Sequence, residues 1–237
     1  EQEPLVLRSD ATYLITGGTS GLGLAAATWL ADRGARHIAL ISRHASEVRR
    51  EGPAWRELAS SGARLHLLSC DVADGEALRS ALHGLSGEAP PLKGVLHAAA
   101  HYEDATLAGI EVEQFRRVLA AKADGCWHLH ELTLDSDLDF FVVFSSVATL
   151  LGSPGQGSYV AANSYAEALV DYRRARGLPG LAVEFGPIGD VGYLARHPEI
   201  RERLLVRTGT AALGADLALD NLDRLIRQDI GVATLAN

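Results

Sequence analysis

Four side chains in this sequence have the types and spacing to deliver a proton to an oxygen: Ser146, Tyr159, Asn163 and Lys122. A phenol can protonate a developing alkoxide, but an ordinary pKa of about 10 makes it a sluggish donor unless a cation lies nearby. Lys122 can supply that charge. Ser146, ending the apolar run FFVVFSS, can donate a hydrogen bond to the same oxygen and stabilise it. Tyr159 and Asn163 are spaced i, i+4, which on a helix places both on one face. Each residue alone reads more readily as structural; the combination carries the chemistry.

A second set precedes them. The loop TGGTSGLG (Thr16, Gly17, Gly18, Thr19, Ser20, Gly21, Leu22 and Gly23) follows the apolar run TYLIT directly. Glycines at a strand-to-helix turn permit positive φ and let backbone N–H groups approach a ligand closely. Gly17, Gly21 and Gly23 fit T-G-x-x-x-G-x-G, and the following helix offers its positive end to a pyrophosphate, so a dinucleotide is the expected occupant. NAD-binding folds carry an acidic residue roughly 20 positions beyond the glycines. Here the second strand ends in Ser42 and Arg43. An arginine suits a 2′-phosphate, so the expected cofactor is NADPH. Asp71 and Val72 are placed to flank the adenine. The segment His97, Ala98, Ala99 and Ala100 leaves room for a ribose.

These residues need a scaffold that brings strand ends together. The runs TYLIT, HIALIS, RLHLLSC, KGVLHAA, FFVVFSS, LAVEF and GVATLA read as seven strands. Helical patterns separate them: 22–32, 53–60, 76–85, two stretches between 112 and 133, 159–176 and 216–227. Each strand is a continuous apolar run, the mark of a parallel sheet covered on both faces. The expected fold is α/β, a doubly wound, Rossmann-type parallel sheet forming one domain over 1–237. Residues 186–213, rich in Gly and Pro around PEIRERLLVR, interrupt the rhythm after strand six and read as a lid.

Composition narrows the partners. With 47% hydrophobic and 22% charged residues, the 237-residue chain is ordinary globular protein. A net charge of −8 argues against nucleic acid or an anionic membrane as main partner. No apolar run reaches the roughly 20 residues of a bilayer span and the acidic start is no signal peptide, so a soluble, cytoplasmic protein is expected. Cys70 and Cys126 read as buried small hydrophobes. His97 and His101 lack a third ligand, and no metal is expected. Methionine is absent, even at position 1, which reads as a piece of a longer polypeptide.

The glycine pattern, a Ser 13 positions before Tyr159, and Y-x-x-x at a helix start together resemble the short-chain dehydrogenase/reductase superfamily. Most members carry Y-x-x-x-K and an Asn in the preceding helix. This chain has Asn163 after the tyrosine and Lys122 before it, the exchanged arrangement of ketoreductase (KR) domains in modular polyketide synthases and animal-type fatty acid synthases. TYLITGGTSGLGLAAATWLADRGARHIALISR, GVLHAAA, FSSVATLLGSPGQGSYVAANSYAEAL and FGPIGDVG resemble the polyketide synthase domain. The resemblance implies NADPH-dependent reduction of the β-keto group of an acyl chain held by phosphopantetheine on an acyl carrier protein. Tyr159 would protonate the oxygen, Ser146 orient the carbonyl, and Lys122 and Asn163 support the tyrosine.

Three departures bear on specificity and partners. Where domains of the B type carry Leu-Asp-Asp, this chain has Tyr102, Glu103 and Asp104; where the A type has a Trp, it has Leu151. The resemblance thus favours B type and a D-hydroxyl, with Asp104, Glu103 and Leu151 as stereocontrol residues. Phe185 stands where active members have Trp. Family members follow a cofactor-free structural subdomain, expected here as a partner together with neighbouring synthase domains. Arg196, Arg201, Arg203 and Arg207 form a basic excess that either meets the carrier protein or its phosphopantetheine phosphate or is the solvated face of an amphipathic lid helix. A redox-inactive epimerase-type or scaffold domain is the alternative.

Overall fold

The seven apolar runs all become strands of one sheet. The computed structural model describes residues 5–209 and 211–237, the side chains of 203–205, 207 and 208 excepted. The strands are β1 (Thr12–Thr16), β2 (His37–Ser42), β3 (Arg64–Ser69), β4 (Leu92–His97), β5 (Phe140–Ser146), β6 (Leu181–Phe185) and β7 (Val232–Leu235). They pair in parallel in the order β3-β2-β1-β4-β5-β6-β7. Continuous apolar character follows from burial on both faces. Along β1, Tyr13 and Ile15 enter one core, while Leu14 enters the other.

Helices cover each face. On one lie α1 (Gly21–Asp32), α2 (Pro53–Ser60) and α10 (Ala215–Ile226), which bury Trp29, Leu30, Leu58, Leu219 and Leu222 against it. On the other lie α3 (Gly75–Glu88), α5 (Gly125–Leu132) and α7 (Gly157–Ala175), contributing Leu78, Leu129, Ala166 and Val170. The remaining helices are α4 (Val112–Leu119), α6 (Ala148–Leu151), α8 (Gly192–Arg196) and α9 (Pro198–Thr208).

Several helix bounds differ from the sequence expectation. Helix α3 begins one residue earlier, where the Asp74 carboxylate accepts from the N–H groups of Glu76 and Ala77, and continues to Glu88 through Gly84 and Gly87. Helix α7 begins at Gly157, which puts Tyr159 inside its first turn. The interruption after β6 contains two helices, α8 and α9, rather than one.

Strand order reverses between β1 and β4, where Thr16 lies in register with His97. In such a sheet the connections after these two strands run to opposite sides, leaving a crevice at their carboxyl ends.

Candidate active site

That crevice is a cleft of about 1070 Å³. It brings together Gly17, Thr19, Ser20, Gly21, Leu22, Gly23, Ser42, Arg43, Asp71, Val72, Ala98, Ala99, Asp104, Lys122, Ser146, Leu151 and Tyr159 along its lining. Thr16, Gly18, His97, Glu103 and Asn163 are not on that lining.

The β1–α1 loop forms one end. A Cβ on Gly23 would stand 2.3 Å from the Gly17 carbonyl oxygen, so only glycine lets the helix start pack on its own loop. Gly21 has φ +55° and lies against the Gly192 backbone of α8. Helix α1 opens with no side-chain cap from Ser20 and no acidic residue in its first turn. Its leading N–H groups and positive dipole end therefore suit an anion such as a pyrophosphate. Along the lining from this loop, Arg43 is exposed at the end of β2, and Asp71 folds its carboxylate back to accept from the Ala73 N–H at 3.0 Å. The residues present fit a dinucleotide: a bare backbone cradle, an exposed guanidinium and small alanines on the same lining.

Thr16 and His97, both expected near a cofactor, lie beneath this surface, off its lining. Both are fully buried. Thr16 Oγ1 donates to His97 Nδ1 at 2.7 Å, His97 Nε2 donates to the Lys122 carbonyl oxygen at 3.0 Å, and Thr16 Oγ1 accepts from the Ala99 N–H at 3.3 Å. Because the carbonyl only accepts, the imidazole proton sits on Nε2. Burial pushes His97 down to about 3, so the ring stays neutral and acts as a strut. Gly18 is likewise packed inward, against Leu40 and Ile15.

Lys122 sits in a π-helical turn, Ala120–Asp124, between α4 and α5. Such turns insert a residue into the helical ladder and re-aim the side chains there. Lys122 is 2% exposed, yet reaches the cleft, and its Nζ donates to the Phe144 carbonyl oxygen at 2.7 Å. Burial pushes its ammonium down to about 8. Cys126, close by, is free and buried, as is Cys70. Its thiol is pushed up to about 12 by burial, so it remains protonated.

Ser146 ends β5, its Oγ accepting from the Ala148 N–H at 3.2 Å. Asn163 is fully buried one turn after Tyr159, and its Nδ2 donates to the Tyr159 carbonyl oxygen at 2.9 Å. Its Oδ1 has no hydrogen-bond partner among the described residues.

Sequence reasoning missed a polar layer behind the serine. Ser145 Oγ donates to Glu167, and the Thr149 hydroxyl bridges the Ser146 carbonyl oxygen at 2.9 Å and Glu184 at 3.2 Å. Thr234 also donates to Glu184. A glutamate inside the apolar run LAVEF was the available signal, since a buried strand tolerates a carboxylate only with partners.

The loop after β4 crosses the other end of the cleft. Glu103 accepts both arms of Arg117, at 2.7 and 2.8 Å, and also meets His101 at 2.7 Å. The hydrogen bonds from Arg117, and after it from His101, hold its carboxyl down to about 2. Asp104 accepts from Gln156 at 3.2 Å, tying this loop to the start of α7. Leu151 is exposed on the lining. Arg196 also lines the cleft, whereas Arg201 donates to the Gly189 carbonyl oxygen at 2.9 Å. The side chains of Arg203 and Arg207 lie outside the described residues.

Known proteins are similar to this chain in sequence and fold. The family model of the KR domain matches residues 11–190. The phenolphthiocerol synthesis polyketide synthase type I Pks15/1 of Mycobacterium marinum is 41% identical over 231 residues, 96% of this chain and 11% of that protein. Erythronolide synthase EryA2 of Saccharopolyspora erythraea is 40% identical over 230 residues, 95% of this chain and 6% of that protein. A solved A1-type ketoreductase superimposes with a TM-score of 0.88 at 38% identity, over 100% of this chain and 48% of the other. The chain thus spans about half of that solved structure and about a tenth or less of these two synthases.

Proposed function

Because the chain belongs to the KR-domain family, the ketoreductase domains of polyketide synthases, we propose that it reduces the β-keto group of a carrier-bound acyl chain to a β-hydroxyl with NADPH. One observation carries the reading: Lys122, Ser146 and Tyr159 line the same cleft as the glycine loop and Arg43.

A reduced nicotinamide dinucleotide, when bound, supplies two electrons and a hydrogen to the carbonyl carbon. The rest is the work of this chain. The β1–α1 loop and the start of α1 hold the pyrophosphate, and Arg43 pairs with a 2′-phosphate. Ser146 donates a hydrogen bond to the carbonyl oxygen and orients it. Tyr159 gives that oxygen its proton, and the ammonium of Lys122, in a largely desolvated site, favours the tyrosinate left behind. Asn163 fixes the first turns of α7 through the Tyr159 carbonyl and offers Oδ1 to the relay that restores the proton.

We assign the product to the B type, a D-hydroxyl, from Asp104 and Leu151. Overall similarity alone does not sort the stereochemical classes, since solved ketoreductases described as A1-type and as C2-type both match the whole chain; the assignment rests on the residues at the mouth. The segment 186–213 acts as the lid. Phosphopantetheine on an acyl carrier protein enters beside Arg196, and a structural subdomain and further synthase domains complete a cytoplasmic polypeptide. Among the described residues no helix is long and apolar enough to cross a membrane.

The test is oxidation of NADPH against NADH with a short β-ketoacyl thioester, followed by chiral analysis of the alcohol. Preference for NADPH and a D-alcohol is expected. NADPH binding without turnover, even on a carrier-bound substrate, would favour an epimerase-type domain; an L-alcohol would overturn the B assignment alone.

A further inference from the structure

Three tyrosines from distant parts of the chain converge at the mouth of the cleft. The Tyr102 ring lies 5.0 Å from that of Tyr159, tilted by 38°, and 5.7 Å from that of Tyr193 on α8, nearly parallel at 23°. Tyr193 in turn stands 4.5 Å from the His197 ring. The array runs from the proton donor across the opening to the segment after β6. We propose that Tyr102 is a substrate-selectivity residue, whose ring limits the size of the group on the carbon next to the reacting carbonyl. The proposal rests on the reductase reading above.

Geometry carries it. The substrate oxygen must meet the Tyr159 hydroxyl, so groups on the adjoining carbon extend into the space beside the Tyr159 ring, which Tyr102 occupies from one side. Tyr102 is 45% exposed and lines the cleft, so one part of its ring is stacked and another faces the space a substrate uses. The ring is also held. On one flank of Tyr102 sits the Glu103–Arg117–His101 cluster, and Asp104 is tied to Gln156. A ring anchored by its backbone neighbours, stacked on Tyr193 and packed at a tilt on Tyr159 cannot yield to a larger substrate without breaking several contacts. The Tyr159 phenol beside it holds Tyr102 well above its ordinary pKa, so the wall is a neutral ring.

The experiment compares kcat/KM for two pantetheine thioesters, an unsubstituted and an α-methyl β-ketoacyl chain, in wild type, Tyr102→Ala, Tyr102→Phe and Tyr193→Ala. The ratio of the two substrates is read within each variant, so general losses of activity cancel. Filling or emptying one methyl's worth of pocket changes such a ratio by on the order of tenfold or more. The α-methyl ratio is expected to rise on the order of tenfold in Tyr102→Ala, to rise less in Tyr193→Ala, and to stay put in Tyr102→Phe. An unchanged ratio in both alanine variants would overturn the inference while leaving the reductase reading intact. A rise in Tyr102→Phe equal to that in Tyr102→Ala would overturn it too, since the hydroxyl and not the ring would then select. Wild type inactive on both substrates, free and carrier-bound, would sink the reductase reading and the inference with it.

Discussion

Lys122 Nζ donates to the carbonyl oxygen of Phe144, two residues before Ser146, at 2.7 Å. This one contact joins the π turn to the end of β5 and puts a buried positive charge on the same cleft lining as Ser146 and Tyr159. Lys122→Met should lower kcat on the order of a hundredfold, the scale of assisted proton transfer. Stability should respond differently. The folded chain releases the lysine proton at about 8, the unfolded chain at about 10.4. Between these values the unfolded state holds more protons, so wild type gains stability as pH rises through that window, and below it carries the full penalty of the buried charge. Urea midpoints from pH 7 to 10 should show this rise in wild type and not in Lys122→Met.

Arg43 is exposed at the end of β2, so its substitution should leave the fold alone. Arg43→Gln is expected to weaken NADPH by on the order of tenfold, the loss of a charge-assisted pair, and to leave NADH nearly unchanged. Binding titrations with both cofactors check this. Equal losses for both would place the 2′-phosphate elsewhere.

Gly23 has no room for a methyl group, since a Cβ would meet the Gly17 carbonyl 2.3 Å away. Gly23→Ala must shift the β1–α1 loop, at an overpacking cost of about 1–3 kcal/mol. Dinucleotide binding should be lost beyond what a lowered Tm explains. Calorimetry paired with cofactor titration separates the two.

Much of this arrangement was legible in the sequence. The strands are continuous apolar runs, so β1 to β7 and their parallel pairing follow from burial on both faces. Ser146, Tyr159 and the glycine loop stand at strand ends and helix starts, where chain order alone brings them to one edge. What stayed hidden depends on packing between distant segments. The π turn that aims Lys122 has no signal in AAKAD. The inward direction of His97 is set by its register with Thr16, and the stacking of Tyr102 needs Tyr193, some 90 positions away. Arg117 gave no hint of its pairing with Glu103 either, being one charge among several on α4.

The carboxylates behind Ser146 give a further test. Burial raises the Glu167 pKa, so the folded state favours its protonated form. That contribution is complete below about 4.3, the unfolded value, and is lost as pH rises through the folded one. Glu167→Gln keeps an acceptor for Ser145 without the charge. It should be at least as stable as wild type at pH 7, with a smaller loss of stability as pH rises from 4; a marked drop in its urea midpoint at pH 7 would show that the ionised carboxylate is the form the fold requires.

The central claim is that Tyr159 delivers the proton to the oxygen of a carbonyl group whose carbon is reduced in the cleft. Its most direct test is NADPH oxidation with a short β-ketoacyl pantetheine thioester by wild type and by Tyr159→Phe, with cofactor binding measured alongside. The account predicts turnover by wild type, a fall in kcat of on the order of a hundredfold or more in the variant, and equal NADPH affinity in both. Turnover that survives in Tyr159→Phe would contradict it.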